Sequence, residues 1–197
     1  MTYTNKDDED VWFTADLHYN HRNILKWTDR PFETVEEMNE GIITEINSKV
    51  KKGDRLYLLG DISFTNVTKT QEFLKRINGR KFLIYGNHDH GILDKSVFDD
   101  KKIFEWRGLR KELKLRGRRF VLDHFALETW HKQHNGAIML HGHSHGSLPD
   151  APDRLRMDVG IDNPEFKVYH IDDIIKIMDA KLVHMEANEL NGSPDHH

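Results

Sequence analysis

Five short apolar runs in this chain each end in residues able to bind a cation or move a proton. Val11-Trp12-Phe13-Thr14-Ala15 is followed by Asp16-Leu17-His18, Leu56-Tyr57-Leu58-Leu59 by Gly60-Asp61, and Phe82-Leu83-Ile84-Tyr85 by Gly86-Asn87-His88-Asp89. Phe120-Val121-Leu122 leads into Asp123-His124, and Ala137-Ile138-Met139-Leu140 into His141-Gly142-His143-Ser144-His145. Taken singly, an Asp or Asn after a strand is a turn former, and a His near a core is a hydrogen-bonded interior residue. Five such ends in one chain read differently. So many unpaired polar groups buried side by side would cost several kcal/mol unless cations held them.

The donor types narrow the metal. Imidazole mixed with carboxylate, in a chain without cysteine, suits Mn, Fe, Co, Ni or Zn, whereas an all-oxygen site would suit Mg or Ca. The candidates outnumber the four ligands of a tetrahedral zinc. They suit two adjacent ions sharing a carboxylate. Two such ions ~3.5–4 Å apart can hold a hydroxide between them and clamp the oxyanion of an in-line displacement. Hydrolysis of a phosphate ester is the leading chemistry.

The scaffold has to bring these ends together. The five runs are four or five residues long and nearly unbroken by polar groups, as strands covered on both faces are. Thr34 and Glu37 form a capping box ahead of Val35, Met38, Ile42, Ile46 and Val50, which predicts a first helix. A second fits 68–78, with Phe73, Leu74 and Ile77 on one face and Gly79 as its stop. Strand alternating with helix predicts crossover units over the first half. In the second half, Leu113-Lys114-Leu115, a turn at Arg116-Gly117 and Arg119-Phe120-Val121-Leu122 predict a hairpin. A helix at about 172–179 capped by Asp172 and a strand at Leu182-Val183 complete the reading. The fold class is layered α/β, with a mixed sheet or two packed sheets, and ligands bind at the carboxyl ends of strands in such folds. One domain is expected over 1–197, with 1–10 and about 188–197 flexible.

Composition excludes several classes. The 197 residues carry 29 basic and 33 acidic side chains, a net charge of −4, which does not suit a nucleic-acid coat or a polycation for membranes. No apolar run approaches the ~18 residues of a membrane span. The start, MTYTNKDDEDV, is unlike a signal peptide. Absent cysteine removes disulfides and thiol nucleophiles and fits a cytoplasmic location. Histidine is the outlier at 14 residues, two of them at the extreme end.

In sequence order, Asp16-x-His18, Gly60-Asp61, Gly86-Asn87-His88-Asp89, His124 and Gly142-His143-Ser144-His145 resemble the motifs of the calcineurin-like metallophosphoesterases. The segment from Asp16 to Ile24, Arg30-Pro31-Phe32 and Met38-Asn39 look like the small bacterial and phage branch of that superfamily. The resemblance implies a two-sheet β-sandwich flanked by helices, with a dimetal site at the strand ends. It implies that Asp16, His18 and His145 bind one ion, that Asn87, His124 and His143 bind the other, and that Asp61 bridges both. It further implies that His88 contacts the phosphate and protonates the leaving oxygen, with Asp89 holding its imidazole. The cofactors so implied are two divalent transition-metal ions: Mn, Fe, Ni or Zn. Asp123-His124-Phe125-Ala126 departs from relatives that carry a small residue before the His and Pro two after it, which leaves the ligand but alters the loop.

His21 or Arg22 could contact substrate phosphate; equally, Arg22 could open a short helix (22–27) and face solvent. His131 and His134 could line the mouth of the site or lie on a surface loop, and His90 reads as exposed. His141 reads as a support for the neighbouring ligands, and His170 and His184 as structural. Seven basic residues between Arg107 and Arg119 could attract an anion, against the plainer reading of a solvated hairpin face. Only 34 residues separate Asp89 from His124, which leaves no room for a large cap over the site. The expected substrate is a small phosphate ester or nucleotide, most naturally a phosphodiester such as a cyclic nucleotide, with nucleic acid not favoured and no membrane. Alternatives are a phosphomonoesterase or nuclease, a silent metal-binding scaffold, and a metal store.

Overall fold

The computed structural model describes residues 10–93 and 103–191, excepting the side chains of Leu93 and 188–191. Strands β1 (Val11–Thr14), β2 (Arg55–Leu58), β3 (Arg80–Ile84) and β4 (Phe104–Gly108) run parallel, and β9 (Tyr169–His170) adds antiparallel to β1. The sheet order is β4-β3-β2-β1-β9. Helices α1 (Val35–Lys49) and α2 (Val67–Arg76) supply the crossovers, and α3 (His90–Leu93) is a single turn. A second sheet, ordered β5-β6-β7-β8, contains β5 (Arg110–Leu115), β6 (Arg118–Asp123), β7 (Ile138–His141) and β8 (Arg156–Asp158). Its β6, β7 and β8 are parallel, and β5 and β6 form the antiparallel hairpin.

Alternation along the strands explains the layering. Leu56, Leu58 and Leu83 face Met38, Ile42, Ile46, Phe73 and Leu74 of α1 and α2. Phe13, Ala15, Tyr57, Leu59 and Ile84 point the other way, onto Phe120, Leu122, Ile138 and Leu140 of the second sheet. The far face of that sheet, Val121 and Met139, is covered by Trp130. Strands apolar on both faces therefore read as unbroken runs because each sheet is sandwiched.

Local expectations hold closely. Thr34 accepts from the Glu37 N–H while Glu37 accepts from the Thr34 N–H, closing the capping box. The hairpin turns through Arg116 and Gly117 at φ 48° and 76°, the left-handed pair that matches strand twist. The C-terminal expectation is corrected. There is no strand at Leu182-Val183, because helix α4 runs from Ile171 to Asn191, with Asp172 inside its first turn. Ile174, Ile175, Met178, Leu182 and Met185 recur at helical spacing and pack on the inter-sheet core, which leaves Val183 exposed. The flexible end expected from about 188 is helical in backbone through Asn191; 1–9 and 192–197 lie outside the described residues. Among the described residues, no helix is long and apolar enough to cross a membrane.

Candidate metal centre

All five polar strand ends meet at one edge of the sandwich, since β1, β2 and β3 are parallel in one sheet and β6 and β7 in the other. Backbone bonds tie the loops together. The N–H groups of Asp16 and His18 donate to the carbonyls of Gly60 and Asp61, and the Gly142 N–H donates to the His124 carbonyl. The approach is close enough that a Cβ on Gly60 would overlap the His124 ring and the Gly86 backbone, while one on Gly86 would overlap Asp61.

Two groups of ligand atoms result among the described residues: Asp16, His18 and His145, and Asp61, His124 and His143. Within each, the atoms lie within 4.8 Å of one another. Asp61 Oδ2 stands between the groups, 3.6 Å from His18 Nε2 and 3.6 Å from His124 Nε2. Asp16 Oδ2 accepts from the His143 N–H at 2.8 Å, a second tie between them.

Cations fit this donor set. Asp16 Oδ1 and both ring nitrogens of His18 are buried without a hydrogen-bond partner among the described residues, a costly state for groups in a dry site. His124 Nδ1 lies 2.8 Å from the Leu59 carbonyl, which can only accept, so a neutral ring keeps its lone pair on Nε2. That lone pair faces Asn87 Oδ1 at 3.0 Å, and two acceptors so placed want a cation between them. His145 Nδ1 is likewise engaged, donating to Asp162 Oδ2 at 2.6 Å, which turns its Nε2 free. Burial pushes the Asp16 carboxyl well above its usual range, and the charges of Asp158 and Asp61 push the same way. Burial, then His145 and Arg30, lowers His18 to about 2; burial and His124 lower His143. Neutral imidazoles and crowded carboxylates are a site prepared for positive charge. The structure thus carries two candidate divalent-metal clusters of His and Asp ligands, as a dinuclear centre requires.

Backbone strain concentrates here. Of the nine described non-glycine residues at positive φ, five are Asp16, His18, Asp61, His143 and His145. The left-handed region costs an L-residue roughly 1–2 kcal/mol, and strain of that kind gathers at functional sites.

His88 lies outside both groups, on the rim of a cavity of about 440 Å³ that His18, His143 and His145 also line. Its side chain is 44% exposed, and its Nε2 is 4.0 Å from Asp61 Oδ2. Asp89 is corrected: it does not hold the His88 ring. Its buried carboxylate accepts from the backbone N–H groups of Asp61, Ile62 and Gly86 at 2.8–3.0 Å, so it fixes the loop that carries Asp61. His21 faces the cavity, its ring stacked on Phe64 at 3.8 Å, and burial followed by the charge of His88 lowers its pKa. Arg22 is exposed on a 3-10 turn (Arg22–Lys26) and is not among the cavity's lining residues. His131 pairs with Glu112 at the surface, His134 and His90 are exposed, and His170 packs on Trp12. The basic hairpin is largely engaged: Arg110 with Asp123, Arg116 with Asp172, Arg118 with Asp179 and Lys111 over the Trp106 ring.

Sequence reasoning missed Asp162 and the part Arg30 plays. Buried Arg30 donates twice to Asp162 (2.6 and 2.9 Å) and to the Asp16 and Leu17 carbonyls (2.7 and 2.9 Å). Asp162-Asn163-Pro164 reads as an ordinary turn, and no local signal links it to His145. Phe64, stacked on His21, was missed for the same reason.

Comparison with known proteins agrees with this geometry. Residues 10–120 match the calcineurin-like phosphoesterase family, a span that takes in Asp16, His18, Asp61 and Asn87. The uncharacterized protein MJ1445 of Methanocaldococcus jannaschii is 31% identical over 188 residues, covering 91% of this chain and 97% of that protein. Gene 66 protein of Mycobacterium phage L5 is 29% identical over 180 residues, covering 77% and 86%. The crystal structure of AQ665, a protein of unknown function from Aquifex aeolicus, shares the fold at 21% identity with a TM-score of 0.64, over 86% of this chain and all of that one. The sandwich with its ligand loops at one edge, the two His and Asp clusters and the sequence match together show that this chain belongs to the calcineurin-like phosphoesterases.

Proposed function

We propose that the chain is a dimetal phosphodiesterase in which Asp16, His18 and His145 hold one divalent ion, Asn87, His124 and His143 hold the other, and Asp61 bridges them. The observation that carries this reading is the Asp61 carboxylate, equidistant from an imidazole of each cluster and turned toward the rim that carries His88. Divalent ions bound there would supply positive charge to the phosphate oxygens and acidity to an attacking water. The chain's own contribution is position. Asp61 Oδ1 accepts the His88 N–H at 2.9 Å, which fixes the histidine backbone beside the bridging carboxylate. Half-exposed His88 can reach a leaving oxygen from the open side and give it a proton.

The diester preference rests on charge. Among the described residues, no Lys, Arg, Asp or Glu lines the cavity above the centre, and the nearby Arg30 is fully engaged by Asp162 and two carbonyls. A dianionic monoester calls for a further cationic clamp of the Arg kind; a monoanionic diester does not. The test is a panel of bis-p-nitrophenyl phosphate, p-nitrophenyl phosphate, 2′,3′- and 3′,5′-cyclic nucleotides and single-stranded DNA, each with Mn, Ni, Zn or Mg. Faster turnover of diesters than of the monoester is expected. Intact metal binding with no hydrolysis of any ester would leave a scaffold instead.

A further inference from the structure

Trp27 is 68% exposed and presents a large flat apolar face to solvent with a polar N–H at its edge. Its backbone is not loose: Trp27 and Thr28 both donate their N–H to the Ile24 carbonyl, closing the 3-10 turn. The ring edge meets His21 at 5.5 Å and 74°. His21 lies flat on Phe64, itself 38% exposed, and is 5.3 Å from the His18 ring. Trp27 therefore stands one imidazole away from a metal-ligand candidate. It also lines two hollows, the cavity above the centre (about 440 Å³) and a second of about 450 Å³ on the side of Asp162 and Phe166. His145 lines both. Each hollow is within the size range of small-ligand sites.

We propose that Trp27, backed by His21 and Phe64, is the stacking platform of a nucleobase subsite, so that the esters bound at this centre are those of nucleosides. The inference rests on the phosphodiesterase reading above. With the phosphate end of a ligand at the candidate metal clusters, the group esterified to that phosphate would lie in the adjoining cavity that Trp27, His21 and Phe64 line. Among the described residues, the cavity above the centre offers no charged Lys, Arg, Asp or Glu, so that group is held by stacking rather than by an ion pair. Ser144 and Ser147 line the same hollow, a polar lining that fits a sugar and a polar flat ring better than an alkyl chain.

The test compares two esters that differ only in the base: thymidine 5′-(p-nitrophenyl phosphate) and 1-O-methyl-2-deoxyribose 5-(p-nitrophenyl phosphate), assayed with the Mn-loaded protein. Base stacking on an aromatic side chain corresponds to roughly 5- to 150-fold in affinity. Trp27→Ala should raise KM for the thymidine ester about 10-fold or more, leave the base-less ester and both kcat values near wild type, and be largely rescued by Trp27→Phe. Equal effects on both esters, or none, overturn the proposal. If the wild type cleaves neither ester, the phosphodiesterase reading falls, and calorimetric titration with adenosine monophosphate decides the subsite by itself. Binding that is weakened in Trp27→Ala upholds it, and absent or unchanged binding overturns it.

Discussion

Asp162→Asn separates support of a ligand from general support of the fold. Asp162 and Arg30 are buried to 3% and 0% side-chain exposure, and Asp162 takes three hydrogen bonds, two from Arg30 and one from His145 Nδ1. Burial by itself would raise its pKa, but the bonds from His145 and Arg30 and the Arg30 charge hold it well below the usual carboxylate range. The Asn variant keeps the volume and one acceptor but removes the charge and the fixed ring of His145. Loss of such a support lowers metal affinity ~10–100-fold, and leaving Arg30 without its counter-charge costs ~3–5 kcal/mol, on the order of 10 °C in Tm for this chain length. Calorimetric titration with Mn and thermal melts of the metal-free protein read the two effects separately. Because the folded pKa is depressed, the stability gap between wild type and variant is full at pH well above 3.8 and closes as pH falls through the folded value. In Arg30→Met/Asp162→Asn no charge of the pair stays buried, so stability should partly return while metal affinity stays low. Wild-type Mn affinity in Asp162→Asn would refute the link to the metal and leave a purely structural ion pair.

Asp61→Asn should reduce the metal content of both clusters, because its carboxylate stands 3.6 Å from an imidazole of each; elemental analysis showing one ion at full occupancy and unchanged affinity would remove the bridge. His88→Ala should keep both metals yet slow hydrolysis of a nucleoside diester with an alkoxide leaving group by ~10²–10⁴, and slow that of a p-nitrophenyl diester far less. Equal losses on the two would confine His88 to phosphate positioning. Lys81 is buried, in register with Leu56 and Phe104 on the flanking strands, with its Nζ donating to the Gly79 carbonyl, and burial lowers it to about 8 from 10.5. Lys81→Met should stabilise the fold by ~1–2 kcal/mol below pH 8, an advantage that shrinks between pH 8 and 10.5 as the folded wild type sheds its proton first; denaturant melts showing a gap constant from about pH 7 to 10 would count against this.

The candidate ligands were legible in the sequence because each sits immediately after a strand that has to be apolar on both faces. A run such as Phe82-Leu83-Ile84 can be placed by composition alone, and its end then marks a position at the sheet edge. Helix α1 was equally legible, since its capping box and apolar spacing agree. What could not be read is what depends on distance along the chain. Arg30 and Asp162 are 132 residues apart, and neither carries a local pattern. Asp89 misled for the opposite reason. Adjacency to His88 suggests a side-chain pair, whereas tight turns direct neighbouring side chains apart, and its carboxylate is occupied by three backbone N–H groups. Helix α4 misled where Leu182 and the β-branched Val183 look like a short apolar strand, although only Leu182 packs on the core.

Strain gives the ligand loops a further physical reading. Asp16, His18, Asp61, His143 and His145 all hold a backbone conformation that favours glycine, yet glycine would supply no ligand. The surrounding structure must therefore enforce the geometry. Gly60 and Gly86 do so by letting the β2 and β3 loops touch, where any side chain would displace His124 or Asp61. Asp89 ties three N–H groups of those same loops, and Arg30 fixes the Asp16 and Leu17 carbonyls. Each device acts on the backbone adjoining a ligand and none on the ligand atoms themselves. Among the described residues, Asp16 Oδ1 and the His18 nitrogens have no hydrogen-bond partner. Loops held in this way, with candidate ligand atoms at their tips, would let cations bind without a large rearrangement of the chain.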